Sequence, residues 1–255
     1  MRTESEAGLD TGTAPGTTAG TGAGPDVRVL RASFSERNVR RLNVGVAVGG
    51  ILITLPLMML IALVVWLTSP GPILYSQERV GRDRRRGERR RGGAERRELD
   101  TGRRRRCTGG QIFTMYKFRT MSTPAKGSAT REVWASPDDC RITPAGSILR
   151  RYRLDELPQL VNVLRGDMNV VGPRPEQPAI FQELRAQVER YPERQAVLPG
   201  ITGWAQVNHS YDQSVDDVRR KVELDLEYIR RRSPAEDLRI MARTLPVMVG
   251  RQGAL

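Results

Sequence analysis

A chain of 255 residues with 38% hydrophobic and only 5% aromatic residues is long enough for one sizeable domain with an aliphatic core. Its formal net charge of +13 indicates an anionic partner, whether nucleic acid, a phosphate-bearing substrate or a lipid surface. One histidine and two cysteines exclude zinc sites made of four cysteines, of two cysteines with two histidines, or of three histidines. Any Ser-His-Asp triad would need His209, and the cysteine count favours a reducing cytosol over a disulfide framework.

The N-terminal part of the chain is a polar tail followed by an apolar segment. Residues 1–35 are rich in Gly, Thr and Ala, and we predict that they are disordered. Residues 44–67 are 24 residues without a charge. At about 1.5 Å per residue, a helix of this length crosses a bilayer core of about 30 Å. A single transmembrane span is therefore one interpretation.

Three features favour a re-entrant helix-break-helix hairpin over residues 36–70. Pro56 stands at the middle of the apolar segment, where it deletes a backbone hydrogen bond and bends a helix. Arginines flank the segment on both sides, and the positive-inside rule draws both flanks to the cytoplasm. Gly, Thr and Asn residues make the first half less lipophilic than a committed span. The residues alone leave the hairpin and the span as alternatives.

Residues 71–255 are predicted to form a mixed α/β domain that is mostly helical. The pattern predicts short strands at Ile73–Gln77 and Ile112–Met121 and helices at Leu154–Leu164, Val215–Ile229 and Leu238–Val249, the last interrupted by Pro246.

An arginine-rich insertion, residues 83–110, separates the two predicted strands. The stretch from Arg79 to Arg106 contains 14 arginines and five acidic residues, a net charge of +9. It has no interleaved aromatic residues and no RNA-binding signature, so nucleic acid is not an expected partner. We interpret it first as a solvated insertion and second as a contact for anionic lipid headgroups at a membrane surface.

The densest chemistry lies in residues 150–176. Asp155 and Glu156 stand side by side before Pro158, where an acidic residue often begins a helix as its N-cap. That structural interpretation competes with a functional one. Arginines surround the two acids, and Arg174 is held between two prolines that favour an extended backbone. Acids and fixed arginines at a helix N-terminus are typical of a site for phosphates and a divalent cation.

Six short segments carry a resemblance to a known family. In chain order they are Gln77–Gly81 (QERVG), Tyr116–Met121 (YKFRTM), Leu154–Leu160 (LDELPQL), Gly166–Met168 (GDM), Val171–Glu176 (VGPRPE) and Pro199–Asn208 (PGITGWAQVN). Together they resemble the bacterial sugar transferase family, the monotopic polyprenyl-phosphate phosphoglycosyl transferases, and the resemblance covers residues 40–248.

The resemblance implies a place in the cell and a reaction. It implies a re-entrant helix in the inner (cytoplasmic) membrane and a catalytic domain with interfacial amphipathic helices on the cytoplasmic face. It further implies that Asp155 attacks the sugar-linked phosphorus of a UDP-sugar, giving a covalent aspartyl phosphosugar and UMP. Polyprenyl phosphate then takes the phosphosugar, the first membrane step of a glycan pathway, with downstream glycosyltransferases as further candidate partners.

The same resemblance implies roles for individual residues. Glu156 helps to hold Mg²⁺, together with Asp155, or manages protons. The residues implied at the substrate are Lys117, Arg119, Arg150 and Arg174 for the phosphates, and Gly203, Trp204 and Gln206 for the nucleotide-sugar pocket. Phosphates are both leaving group and final nucleophile, with second pKa values of about 6, so the chemistry needs no histidine base.

The chain departs from the family pattern in three places. The membrane break is usually Ser-Pro and here is Leu55-Pro56, so Thr54 is the candidate to satisfy the freed backbone groups. His209 follows Asn208 where the family usually has Gly, and the arginine-rich insertion is longer than usual.

Three other functions are alternatives to the transferase. The first is a single-span membrane anchor that displays a basic interaction domain without catalysis. The second is a nucleic-acid-binding protein, and the third is a phosphatase acting on polyprenyl diphosphates. The acid pair with its Pro-Arg-Pro neighbour argues against a mere anchor.

Overall fold

The computed structural model describes residues 36–83, 110–122, 139–208 and 214–249. The predicted tail 1–35, nearly all of the insertion 83–110 and His209 lie outside these ranges. Within them the chain is mostly helical with two small sheets, in agreement with the predicted fold class.

The apolar segment forms one long helix, α1 (Glu36–Thr68), which continues through Pro56. The predicted interruption at this proline is therefore wrong for the secondary structure, because the loss of one hydrogen bond does not stop the flanking turns from propagating. Thr54 also differs from expectation. Its hydroxyl donates to the Gly50 carbonyl at 2.7 Å, and not to the Leu52 carbonyl that Pro56 cannot reach. By length and composition alone, α1 is apolar enough to cross a membrane.

Two strands follow α1 and pair as an antiparallel ribbon: β1 (Leu74–Val80) and β2 (Ile112–Phe118). Both lie where the sequence predicts strands. Side chains alternate along a strand, so Lys117 shares a face with the buried Phe113 and Met115. The ribbon thereby directs the Lys117 ammonium group towards the interior of the domain.

Helices make up most of the remaining described chain. In order they are α2 (Pro144–Arg151), α3 (Gln159–Arg165), α4 (Pro178–Gln187), α5 (Trp204–Asn208), α6 (Val215–Arg231) and α7 (Pro234–Val249), with 3-10 segments at Leu154–Glu156 and Tyr191–Ala196. Ser214 and Asp217 form a capping box at the N-terminus of α6, which begins at Val215 as predicted. The interruption predicted at Pro246 is absent from α7, which continues to Val249.

A second, parallel pair of strands lies at the centre of the domain: β3 (Asn169–Val171) and β4 (Gly200–Thr202). At three residues each, they are too short for an alternating pattern, and the sequence does not predict them. Backbones pass closely here, since a Cβ on Gly203 would lie 2.3 Å from the Gly172 carbonyl oxygen. Only glycine fits at such a crossing.

The N-terminal end of α1 is anchored to the domain by polar side chains. Arg40 donates to the carbonyls of Val163 and Leu164, at 2.5 and 2.7 Å, in the last turn of α3. Asn43 is buried and accepts the Val170 N–H of β3 at 2.6 Å.

The C-terminal end of α1 is anchored by an arginine from the end of β2. Arg119 donates to the Pro70 carbonyl at 2.9 Å and to the Ser69 carbonyl at 2.5 Å, and reaches Val65 O at 3.5 Å. It is buried, and it satisfies carbonyls that have no partner within the helix. Ile61 and Val65 pack beside it against Phe118 and Leu149. Both ends of α1 therefore rest on the same domain.

Substitution of Arg119 tests this anchor. Arg119→Met removes the guanidinium that donates to the carbonyl of the buried Ser69, so we expect the free energy of unfolding to fall by about 1–3 kcal/mol. Thermal unfolding of the purified protein in detergent measures the change. The matched control is Arg151→Met on the exposed side of α2, which should cost less than about 0.5 kcal/mol. Equal losses for the two variants would contradict the anchor.

Candidate active site

The acid pair lies in a tight turn that precedes α3. Arg153 adopts a left-handed backbone conformation (φ 54°), and Leu154–Glu156 then form one 3-10 turn. Non-glycine residues in this region carry strain that is typical of functional sites. Asp155 caps neither the 3-10 turn, where Arg153 stands at the N-cap, nor α3, where Pro158 does. The interpretation of Asp155 as a helix N-cap is therefore wrong.

Glu156 is buried and held by two cations from different parts of the chain. Its Oε1 accepts Lys117 Nζ at 2.9 Å and Arg174 Nη2 at 3.1 Å, and Arg153 Nη1 lies 4.0 Å from its Oε2. Burial by itself raises the pKa of Glu156, but Lys117 and Arg174 outweigh burial and hold the pKa well below its ordinary value. Glu156 is therefore a fixed negative charge at neutral pH.

Asp155 is the less satisfied member of the pair. It is 8% exposed, and within the described residues its carboxylate accepts no hydrogen bond. Burial and, to a lesser extent, the neighbouring Glu156 charge raise its pKa to about 6, against the lowering effect of Lys117. An acid with free oxygens and a raised pKa, set in a cationic surrounding, is ready to bind or attack an electrophile.

Arg150 completes the cationic surrounding from the end of α2. Its charge lowers the pKa of Asp155, and its Nη1 atom is buried without a hydrogen-bond partner among the described residues. A buried, unpaired guanidinium N–H is costly unless a ligand accepts from it. Of the predicted phosphate contacts, Lys117, Arg150 and Arg174 thus lie around the acid pair.

Arg119 does not join this cluster. Its guanidinium donates to the carbonyls at the end of α1 and anchors that helix, and its contact with the substrate phosphates stays a prediction. YKFRTM spaces Lys117 and Arg119 two residues apart, but β2 ends at Phe118, so the alternation that would set them on one face does not continue.

The predicted nucleotide-sugar residues lie after β4. Trp204 donates its Nε1–H to Glu227 at 2.9 Å, and Arg231 and Arg243 lie 5.2 and 5.1 Å from its ring centroid. The ring thus joins α5 to α6 and α7. Gln206 donates to the Ile201 carbonyl at 3.2 Å, and its buried Oε1 has no partner in the described part of the chain. Their role at the sugar stays a prediction.

Several charged residues near the site escaped sequence reasoning. Glu176 accepts Lys221 Nζ at 3.0 Å, and the buried Arg194 binds the buried Asp225 at 2.6 Å. Arg79 and Glu176 stand inside the QERVG and VGPRPE segments, so their place in these motifs could have identified them as candidate site residues. Arg194, Lys221 and Asp225 lie outside all six segments, so only the fold brings them together.

The acid pair is also the part of the site that fits a divalent cation. The described residues contain no cluster of three or more acidic, His or Cys side chains of the kind that would form a protein cage. Mg²⁺ requires fewer, because it usually binds one or two carboxylates plus substrate phosphates. Asp155 offers free oxygens and Glu156 offers Oε2, so these two side chains suit such an ion.

Comparison with known proteins supports the family resemblance. A family model described as bacterial sugar transferase matches residues 35–88 and 100–251. A UDP-N-acetylgalactosamine-undecaprenyl-phosphate N-acetylgalactosaminephosphotransferase from Aeromonas hydrophila is 35% identical over 215 residues, 84% of this chain and 44% of that protein. A UDP-glucose:undecaprenyl-phosphate glucose-1-phosphate transferase from Escherichia coli is 36% identical over 197 residues, 76% of this chain and 36% of that protein.

The matched region is the part of the chain that holds both the membrane helix and the acid pair. A UDP-glucose:undecaprenyl-phosphate glucose-1-phosphate transferase from Caulobacter vibrioides is 36% identical over 196 residues, 76% of this chain and 63% of that protein. The chain therefore spans less than half the length of the Aeromonas and Escherichia relatives and more of the Caulobacter one. Since the family match covers most of the sequence and includes every motif of the site, the chain belongs to the bacterial sugar transferase family.

Proposed function

We propose that this chain transfers a sugar-1-phosphate from a UDP-sugar to polyprenyl phosphate through a covalent aspartyl phosphosugar, releasing UMP. The observation that carries the proposal is the contrast within the acid pair. Glu156 is neutralised by Lys117 and Arg174, whereas the Asp155 carboxylate accepts no hydrogen bond from the described residues and has a raised pKa in the same cationic pocket. The names of the relatives, which act on UDP-sugars and undecaprenyl phosphate, support the substrate class.

The first step forms a bond from Asp155 to the sugar-linked phosphorus and breaks the bond from that phosphorus to UMP. The electron pair leaves with UMP, a phosphate monoester with a second pKa of about 6, so no general acid is required at neutral pH. Lys117, Arg150 and Arg174 provide positive charge where negative charge accumulates on the transferring phosphoryl group. A carboxylate nucleophile that forms an acyl phosphate is an established route of catalysis.

The second step returns Asp155 to its carboxylate form. An oxygen of polyprenyl phosphate attacks the phosphorus, the acyl phosphate bond breaks, and a lipid diphosphate sugar leaves. Mg²⁺ held by Asp155 and Glu156 would neutralise phosphate charge in the site. Glu156 keeps its negative charge throughout, because its two partners suppress its protonation.

The lipid acceptor requires the site to lie at a membrane surface. Because both ends of α1 rest on one domain, a straight span would place that domain on two sides of the bilayer, so we favour a helix that enters and leaves one leaflet. We place the domain on the cytoplasmic face of the inner membrane, where UDP-sugars are available, with the basic insertion near anionic headgroups. Downstream glycosyltransferases would consume the product.

A membrane anchor without catalysis is the weaker alternative. An anchor gains nothing from a buried carboxylate that lacks hydrogen bonds, since such a group costs free energy at neutral pH. A buried carboxylate with a raised pKa, such as Asp155, is typical of functional sites.

Asp155→Asn tests the nucleophile. The amide has nearly the same shape but is a poor nucleophile, so we expect transfer to fall by at least about 10³-fold, while the protein stays folded. With radiolabelled UDP-sugar and no lipid acceptor, the unmodified enzyme should acquire acid-stable, hydroxylamine-sensitive label, and the variant should not. Glu156→Gln should lower the transfer rate but leave a trace of transfer.

The control for this substitution is Asp216→Asn, on the exposed start of α6, where the side chain is 84% exposed. It should label and transfer normally. Near-normal transfer by a folded Asp155→Asn variant would contradict the covalent mechanism.

The pKa of Asp155 predicts the pH dependence of the first step. Attack needs the ionised carboxylate, and burial raises its pKa to about 6, so the labelling rate should fall as pH drops through about 6 rather than about 4. UDP-sugar has no secondary phosphate ionisation, so measuring this step without lipid acceptor isolates Asp155. Arg150 lowers the pKa of Asp155, and Arg150→Gln should therefore move the acidic limb to higher pH.

The matched control is Arg151→Gln, the exposed neighbour of Arg150, which should leave the profile in place. A labelling rate that falls only near pH 4 in the unmodified enzyme would show that Asp155 is not the titrating group.

Cysteine labelling tests the topology. In a background without Cys107 and Cys140, single cysteines at positions 35 and 76 should both be shielded from an impermeant thiol reagent in whole cells, because both flanks lie in the cytoplasm. Pro56→Leu should push α1 towards a full span, because it restores the backbone hydrogen bond that proline cannot donate and straightens the apolar helix. Labelling at position 35 alone in the original sequence would establish a span and remove the re-entrant arrangement.

A further inference from the structure

We infer that Arg194 and Arg79 are positioning residues that hold the strap Pro173–Glu176 in place, so that Arg174 reaches Glu156. The inference rests on the proposed function and names groups that act through Arg174 without touching the substrate. It starts from the hydrogen bonds of the strap itself.

All four carbonyls of the strap accept a hydrogen bond. Gly200 N donates to Pro173 O at 3.0 Å, and Val80 N donates to Glu176 O at 2.9 Å. The two central carbonyls are bound by side chains instead of backbone: Arg194 Nη2 donates to Arg174 O at 3.2 Å, and Arg79 Nη1 donates to Pro175 O at 3.2 Å. The strap thus belongs to neither a helix nor a strand, and its backbone geometry depends on two arginine side chains.

The two prolines explain why side chains are needed. Pro173 and Pro175 have no N–H and cannot join a regular ladder, so the segment cannot fix itself by secondary structure. Proline restricts the backbone of the residue before it, but not the position of the whole segment relative to the acid pair. That position has to come from outside the strap.

Arg194 is itself rigidly held. It is 4% exposed, its Nε donates to Asp225 at 2.6 Å, and its Nη1 donates to the Tyr191 hydroxyl at 2.8 Å. The planar fork of an arginine allows these contacts and the bond to Arg174 O at once, which a lysine cannot reproduce. The buried Asp225 on α6 is thereby connected to the backbone of Arg174.

The opposite side of the strap is held from β1. Arg79 Nη2 donates to Gln77 Oε1 at 2.7 Å, while Nη1 holds Pro175 O. Glu176, at the end of the strap, binds Lys221 at 3.0 Å. Arg79 and Arg194 therefore hold adjacent carbonyls from two different parts of the fold.

The consequence at the site is electrostatic. Arg174 lies 3.1 Å from Glu156, and its charge also lowers the pKa of Asp155. A displaced strap removes this cation from both acids. The transferring phosphate should then lose one of its fixed positive charges.

A double-mutant cycle tests the inference. Arg194→Lys should reduce the labelling rate by about 10- to 100-fold, the size expected of a small displacement transmitted to a catalytic group. In an Arg174→Ala background, the same change should have almost no further effect, because the group through which it acts is already absent. Arg194→Lys should also show the same split between maximal labelling rate and half-saturating UDP-sugar concentration as Arg174→Ala, which a merely destabilised site would not do.

The controls separate position from folding. Arg190→Lys, at the surface near Arg194, alters only an exposed ion pair with Glu193 and should leave the labelling rate unchanged. If Arg194→Lys does not fold, Arg79→Lys provides the same cycle from the other carbonyl. Multiplicative losses in the Arg174→Ala background, or a split between maximal rate and half-saturation that differs from that of Arg174→Ala, would overturn the inference.

The outcome is distinguishable from failure of the proposed function. If the unmodified enzyme forms no labelled intermediate from any UDP-sugar, the reaction is wrong. The strap is then judged by amide hydrogen exchange in detergent: faster exchange at Val80 and Gly200, whose N–H groups donate to the strap, in Arg194→Lys than in the unmodified protein supports it, and identical exchange overturns it.

Discussion

Glu156 is the point at which three distant parts of the chain meet. Its Oε1 atom binds Lys117 from β2 and Arg174 from the strap, and the carboxylate itself comes from the 3-10 turn before α3. A buried carboxylate is tolerated only if such partners neutralise it, and losing one partner leaves an uncompensated charge. The need to satisfy Glu156 therefore fixes the ribbon, the turn and the strap relative to one another, and it leaves Asp155 as the open acid.

Helix α1 is hydrogen-bonded to the elements that carry the acid pair and its partners. Arg40 binds the last turn of α3, whose preceding 3-10 turn carries the acid pair, and Asn43 binds β3, which leads directly into the strap. Arg119 holds the other end of the helix from the residue that follows β2. The depth of α1 in a bilayer would thus set the position of the acid pair relative to the lipid surface, which suits an acceptor phosphate at the end of a membrane-bound chain.

The helix ends show how polar contacts replace backbone pairing in this fold. Arg40 and Arg119 each bind carbonyls at the end of a helix, and Arg79 and Arg194 bind carbonyls of the strap. An arginine offers several donors in a fixed plane, so one side chain can satisfy acceptors that a regular ladder leaves open. Part of the high arginine content is thus structural and lies outside the insertion that dominates the net charge.

The local features can be predicted from the amino-acid sequence: the apolar segment, the two strands β1 and β2, the amphipathic α6, and the neighbouring Asp155 and Glu156 in a phosphate-binding context. These depend on periodicity and on neighbours in the chain, and a single sequence contains both. Tertiary structure alone decided that Pro56 does not interrupt α1, that Asp155 caps no helix, and that Arg119 binds helix carbonyls while Lys117 binds Glu156. It also brought Arg194 and Asp225 to the strap. The physical reason is that burial and ion pairing join residues far apart in sequence, and their spacing along the chain contains no record of which atoms will meet.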